Sequence, residues 1–146
     1  MDNIDKMELS KVEVWKNYEH YTIYRSYNPP NNITNLNSIN LRTKTILIGD
    51  FNAHSKTWRY QDSNNPGKIL EDFINTNTMD LIYNKNDTPT FIHHTGSNTN
   101  PDLLIVSSVA EYTHRKIIED PCSGHRVVIA TIKSKNHCPE SNTKHS

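Results

Sequence analysis

The segment that most constrains this chain is Thr45-Ile46-Leu47-Ile48, a short apolar run closed abruptly by Gly49-Asp50. A run of this length without polar alternation reads as a strand covered on both faces. The glycine and aspartate then end it in a turn. Leu103-Leu104-Ile105-Val106, preceded by Asp102, reads the same way, and Val127-Val128-Ile129 follows close behind His125. Each of these apolar strands therefore has a polar residue fixed at one end.

The remaining elements fall around these strands. Val12-Glu13-Val14-Trp15 and Tyr21-Thr22-Ile23-Tyr24 are rich in β-branched and aromatic residues and read as strands. The second stops at Tyr27-Asn28-Pro29-Pro30. Ile33, Leu36, Ile39 and Leu41 suggest a short helix between Asn31 and Arg42. Ala53 to Pro66 is polar and reads as a loop, with Trp58 as its anchor in the core. Ile69, Leu70, Phe73 and Ile74 have helical spacing and predict a helix over Gly67–Asn75. Asp80–Tyr83 returns to strand, and Thr90-Phe91-Ile92 begins a hairpin. Arg115–Glu119 and His125–Lys133 are the last two strands. Strands mixed with one or two helices predict an α+β layered sandwich. Residues 134–146 form a polar, mildly basic segment expected to be a disordered tail.

Composition narrows the function classes. At 146 residues the chain suits one domain, and its 34% hydrophobic content predicts a thin core. Asparagine is abundant and clustered, as in Asn31-Asn32 and Asn64-Asn65, which predicts long loops. Codon bias explains the excess better than any function does. Sixteen basic residues balance sixteen acidic ones, which argues against a basic nucleic-acid coat. The balance leaves room for a metal-dependent nuclease, whose active site is itself acidic. Cys122 and Cys138 make neither a disulfide framework nor a metal-ligand spacing. The N-terminus lacks the basic and apolar regions of a signal peptide. No apolar run approaches the ~18 residues of a membrane span. The expected location is intracellular, compatible with the nucleus and not secreted.

Asp50, Asn52, Asp102 and His125 can meet at one sheet edge if their strands are neighbours. Two carboxylates, an amide and an imidazole suit hydrolysis of a phosphodiester. One carboxylate orients water, the other holds the imidazole, and His and Asn donate to phosphate oxygens. The competing structural reading is that Asp and Asn at strand ends are turn formers.

Thr45 to His54, Thr-Ile-Leu-Ile-Gly-Asp-Phe-Asn-Ala-His, resembles the Gly-Asp-Phe-Asn motif of the DNase I-like endonuclease/exonuclease/phosphatase superfamily. Its Asn-Ala-His continuation is most similar to the endonuclease domains of jockey-like non-LTR retrotransposons, where an endonuclease accompanies a reverse transcriptase. Tyr27-Asn28-Pro29-Pro30-Asn31, Trp58 with Asn65-Pro66-Gly67, Thr99-Asn100-Pro101-Asp102-Leu103 and Ser123-Gly124-His125-Arg126 resemble other segments of that family, in the same order. The resemblance covers about residues 12–133, and residues 1–133 are expected to form the domain.

The resemblance implies a nuclease that hydrolyses DNA phosphodiesters with Mg²⁺, with a reverse transcriptase as the ancestral partner in one polyprotein. Asp50 would position or activate water and offer the metal a ligand, while Asn52 would bind phosphate or that water. Tyr27 would contact phosphate, and Arg126 would reach it from beside the histidine. Asp102 would orient His125, which would stabilise charge developing at phosphorus.

Two departures qualify this reading. Gly124 stands where the family has an aspartate beside the histidine, and Asp120, ahead of Pro121, is a poor substitute. The family's domain is also longer, with a metal-binding Glu on an earlier strand. Glu8, Glu13 and Glu19 lie in no matching context and read as surface charges. The fold expected is the C-terminal part of a four-layer αββα sandwich whose N-terminal half is missing. Ile46, Ile48, Leu104, Val106, Val128 and Ala130 would then share a sheet face lacking part of its cover. Activity is expected to be impaired, and the alternative is a non-catalytic nucleic-acid-binding relic. His54 stands beside the motif as a loop residue, and His93 and His94 read as hairpin surface. Arg59 and Tyr60 flank Trp58 as a candidate base-stacking cluster, and Thr99 and Asn100 are expected to shape the rim of the site.

Overall fold

The computed structural model describes residues 6–96, 98–107, 113–118 and 124–132. The expected tail at 134–146, Asp120 and both cysteines lie outside these residues. Strands β1 (Glu8–Lys16), β2 (Glu19–Tyr27), β3 (Lys44–Asp50), β4 (Met79–Leu81) and β7 (Asp102–Ser107) build a five-stranded sheet in the order β1-β2-β3-β7-β4. Only β2 and β3 pair in parallel, and their neighbours pair antiparallel. β5 (Phe91–Ile92) and β6 (Asn98–Thr99) make a small hairpin. β8 (Thr113–Ile118) and β9 (Val127–Ile132) make a second antiparallel pair. The helix α1 (Asn65–Thr76) packs on one face of the large sheet.

The two apolar runs do become the buried centre. β3 and β7 are adjacent, and Ile46, Leu47 and Leu103 through Val106 are almost wholly buried. One face of the sheet packs Leu47, Leu103 and Ile105 against Trp58, Leu70 and Phe51. The other buries Tyr21, Ile46, Leu104 and Val106.

The composition of that second face differs from expectation. Val128 and Ala130 are not in the same sheet as Ile46. The β8–β9 pair is a separate sheet, and Ala130 and Ile132 pack onto Ile46, Leu104 and Val106. Alternation along β9 turns Val127 and Ile129 outward, where both are exposed.

The segment between β2 and β3 also departs from expectation. It contains no helix, although Leu36 is buried and Ile39 and Leu41 pack against the core as the apolar spacing implied. Local bonds from asparagine side chains compete with helical pairing. Asn35 Oδ1 accepts from the Asn37 N–H, Asn40 Oδ1 accepts from the Arg42 N–H, and Asn32 Nδ2 donates to the Ile33 carbonyl, each at 3.0 Å. Tyr24 Oη accepts from the Asn40 N–H at 3.0 Å, tying the loop to the sheet.

The helix starts two residues before the expected Gly67, because Asn64 caps it and Pro66 lies in its first turn. Asn64 Oδ1 accepts from the N–H of Gly67 at 2.8 Å and of His54 at 2.7 Å, and its Nδ2 donates to the Asn52 carbonyl at 3.2 Å. One side chain therefore joins the helix to the segment after Asp50. Asn64→Ala is expected to cost about 2 kcal/mol, at the upper end for a cap, because three bonds go with it. Urea denaturation measures this, and a loss below a few tenths of a kcal/mol would show that water replaces the cap.

Candidate active site

The register of β3 against β7 sets the site. Asp50 and Asp102 are direct partners at the end of the antiparallel ladder. Gly49 makes this possible: its φ is +140°, and a Cβ there would lie 2.1 Å from the Ser26 carbonyl oxygen of β2. A glycine is needed for so close an approach in that backbone conformation. Past Asp50 the chain turns sharply through Asn52 (φ 43°), a left-handed position asparagine tolerates. The Asp50 carboxylate accepts from the Asn52 N–H at 3.0 Å.

His125 arrives from a different part of the chain. Its segment is pinned to β5 by bonds from the Ile92 N–H to the Gly124 carbonyl and from the Arg126 N–H to the Thr90 carbonyl, 2.9 and 2.7 Å long. His125 Nδ1 lies 3.2 Å from Asp102 Oδ2, and its ring tilts against Phe91 at 4.6 Å between centroids. Ligand atoms of Asp50, Asp102 and His125 all fall within 4.8 Å of one another. Burial pushes the Asp50 carboxyl up to about 6, with the Asp102 charge adding to the effect. The Asn52 N–H and His125 oppose the rise.

This cluster opens into a cavity of about 390 Å³, bordered also by Tyr27, Asn52, His54, Tyr60 and His93. Most of the expected site residues are thus brought together: Tyr27, Asp50, Asn52 and His125 line the cavity, and Asp102 lies against His125. Asn52 lines this cavity, and its Nδ2 donates to the Asn28 carbonyl at 2.6 Å. Arg126 is placed differently from expectation. It is absent from the cavity lining, and its Nη1 donates to the Pro89 carbonyl at 2.5 Å. Its sequence position beside His125 reverses direction because successive residues of an extended segment point to opposite sides.

Three further rings wall the cavity. His93 was expected on the hairpin surface, yet it lines the cavity, packs edge-on against Phe91 and meets Thr99 Oγ1 at 3.2 Å. His54 and Tyr60 stack face to face at 4.1 Å and form another wall. Burial lowers the His54 pKa and pushes the Tyr60 hydroxyl up to about 12, so both rings are neutral near pH 7. Trp58, by contrast, sits in the core as expected.

Asn28, between Tyr27 and Pro29, is fully buried and organises the floor. Its N–H donates to the Asp50 carbonyl at 2.8 Å, and its side chain bonds Thr34, Asn32 and the Phe51 carbonyl. Thr99 lines the rim as expected, while Asn100 is buried beneath it and bonds the Thr90 N–H. Gly124 lies against Phe91, and a Cβ there would be 2.9 Å from Cε2 of that ring.

The sequence profile of the endonuclease-reverse transcriptase family matches residues 21–129, about three-quarters of the chain and every element of the site. The chain belongs to that family. This endonuclease-like domain of retrotransposon type also has a counterpart among solved structures, the endonuclease domain of TRAS1, a telomere-specific non-LTR retrotransposon. The two share 18% sequence identity and superpose with a TM-score of 0.71, covering 87% of this chain and 64% of that one. At this identity the likeness establishes a DNase I-like fold. This chain thus spans less than two-thirds of the length of that structure. A search of curated proteins finds no match. Among the described residues of this endonuclease-family chain, no helix is long and apolar enough to cross a membrane.

Proposed function

We propose that the chain is a Mg²⁺-dependent phosphodiesterase directed at DNA, and that its activity is weak. The observation that carries this reading is the meeting of Asp50, Asp102 and His125 within 4.8 Å at the mouth of an open cavity. Asp50 and Asp102 face each other with like charge, and burial and that charge hold the Asp50 carboxyl up near 6. Such a pair fits a hard divalent cation, which prefers oxygen ligands and would relieve the repulsion. Asp50 and Asp102 are the residues that would hold it. When bound, Mg²⁺ supplies charge stabilisation at phosphoryl oxygens.

The remaining roles belong to the chain. Asp50, ionised above about pH 6, orients the attacking water. Asp102 fixes the imidazole of His125, which donates toward the charge developing at phosphorus. Asn52 and Tyr27 line the cavity that would receive the phosphate. The neutral His54–Tyr60 stack offers an aromatic wall to a neighbouring base.

The weakness follows from Gly124. It contributes no ligand, and an acidic side chain there would fit only if Phe91 moved. The same observation favours a second reading, a non-catalytic domain that keeps its nucleic-acid surface. In either reading residues 1–133 form the domain, part of a four-layer αββα sandwich, with a reverse transcriptase as the polyprotein partner that the family's description suggests.

A supercoiled-plasmid nicking assay tests the proposal. Slow nicking is expected with Mg²⁺ and not with EDTA, and Asp50→Ala and His125→Ala should each reduce it at least ~100-fold. Nicking that survives both substitutions would sink the assignment. DNA binding that weakens with salt, without any nicking, would instead establish the second reading.

A further inference from the structure

Arg115 lies on β8, away from the cavity described above, and is buried to 7% relative exposure between the two sheets. Its Nη1 donates to the Ile82 carbonyl at 3.2 Å. Among the described residues its Nε and Nη2 have no acceptor, although both are shielded from water. The guanidinium stands 5.8 Å from the centroid of the Tyr83 ring, whose hydroxyl is likewise buried and has no partner among the described residues. Beside them is a second cavity of about 190 Å³, which Asn84, Asp87 and His114 also border.

A buried guanidinium is costly unless its charge and its donors are matched. Here the donors left over are the Nε and Nη2 edge, the fork that accepts two oxygens of one planar or tetrahedral anion side-on. The Tyr83 hydroxyl adds a donor on the same wall. The counter-argument is Asp87, a carboxylate on the rim with the charge of such a ligand. It belongs to a turn at Asn84–Asp87, closed by an N–H to carbonyl bond of 2.9 Å. Arg59 Nη1 reaches the Asp87 carbonyl at 3.4 Å and brings a second guanidinium to the entrance.

We propose that this cavity is a second site, a phosphate-binding pocket built on Arg115 and Tyr83 and distinct from the Asp50–Asp102–His125 cluster. Strand geometry places the pocket roughly 10–15 Å from Asp102, because Leu104, two residues along β7, is the partner of Ile82. A pocket at that distance suits a backbone phosphate of a nucleic-acid strand lying across the sheet, and free phosphate offers the same chemistry.

Titration of the ¹⁵N-labelled full chain, read at the arginine Nε–H resonances, tests this with inorganic phosphate and with a six-residue oligothymidylate in EDTA. Phosphate is expected to shift the Arg115 resonance saturably in the wild type and in Asp50→Asn. Arg115→Lys keeps the charge but not the fork, and should weaken phosphate at least ~10-fold as read from amide shifts around Tyr83. Tyr83→Phe, which removes only a hydroxyl, should weaken it severalfold and serves if the lysine variant does not fold. Tighter binding of the oligonucleotide identifies a strand phosphate as the source, and tighter binding of inorganic phosphate identifies the free ion. Either result supports the pocket. No saturable shift with either probe overturns it, as does a shift lost in Asp50→Asn, which would assign the anion to the first cavity. Nicking activity plays no part in the readout, so this proposal and the proposed function fail separately.

Discussion

Trp58→Ala is expected to lower the unfolding free energy by about 3–5 kcal/mol. Trp58 is fully buried beneath the large sheet and fills the space between Leu70, Phe51 and Leu103. Its indole N–H donates to the Ala53 carbonyl at 2.7 Å, which fastens the loop that follows the Gly-Asp-Phe-Asn segment. Truncation leaves both a cavity and an orphaned carbonyl. The effect should also reach the site, because Trp58, Asn100, Thr90 and Asp102 form one chain of bonds. The Trp58 carbonyl accepts from Asn100 Nδ2 at 3.5 Å, Asn100 Oδ1 accepts from the Thr90 N–H at 3.3 Å, and Thr90 Oγ1 accepts from the Asp102 N–H at 3.3 Å. Trp58→Phe keeps most of the volume and loses the indole bond, so about 1–2 kcal/mol is expected. Urea denaturation of both variants separates packing from hydrogen bonding. An alanine variant within 1 kcal/mol of wild type would show that the loop, not the indole, carries the packing.

Asp50→Asn is expected to abolish nicking and at the same time raise Tm at pH 7.5. Burial holds the Asp50 carboxyl up to about 6 in the folded chain, against 3.8 for a free aspartate side chain. A carboxyl raised on folding favours the folded state only while it is protonated. That contribution is whole below about pH 3.8 and is lost as pH rises through about 6. At pH 7.5 the wild type therefore carries an ionised, partly desolvated carboxylate facing Asp102, and the amide does not. The shift alone corresponds to about 3 kcal/mol, which solvent at the cavity mouth reduces to about 1 kcal/mol. Thermal unfolding at pH 7.5 and at pH 4 checks the sign, since the gain should vanish at pH 4. Added Mg²⁺ should raise the Tm of the wild type and leave Asp50→Asn nearly unchanged. A variant less stable than wild type at pH 7.5 would contradict the repulsion between the two aspartates.

The distribution of what was readable follows from the range of each interaction. The apolar runs of β3 and β7 and the helical spacing of Ile69, Leu70, Phe73 and Ile74 are local patterns, and each became the element expected. Asn31 to Arg42 failed because its apolar spacing was opposed by asparagine side chains bonding nearby backbone, a competition that the spacing of Ile33, Leu36, Ile39 and Leu41 does not register. Placing β9 in a second sheet rather than the first also lay beyond the pattern. A strand's alternation shows that one face is apolar without showing which surface it will meet.

Local pattern alone was enough to show that Gly49-Asp50-Phe51-Asn52 ends a buried strand, that Asp102 begins another, and that His125 lies just ahead of a third. It also determined the family, because the ordered segments around these residues carry the resemblance. Packing of distant elements was needed to make Asp50 and Asp102 face each other, to bring His93 and Tyr60 to the cavity wall, to turn Arg126 to the Pro89 carbonyl, and to bury Arg115 with part of its fork unmatched among the described residues. The physical reason is that ladder register and loop path bring together residues tens of positions apart in the chain. Their meeting is fixed by the packing of whole elements, while the sequence pattern reports only on neighbours within one turn or one strand.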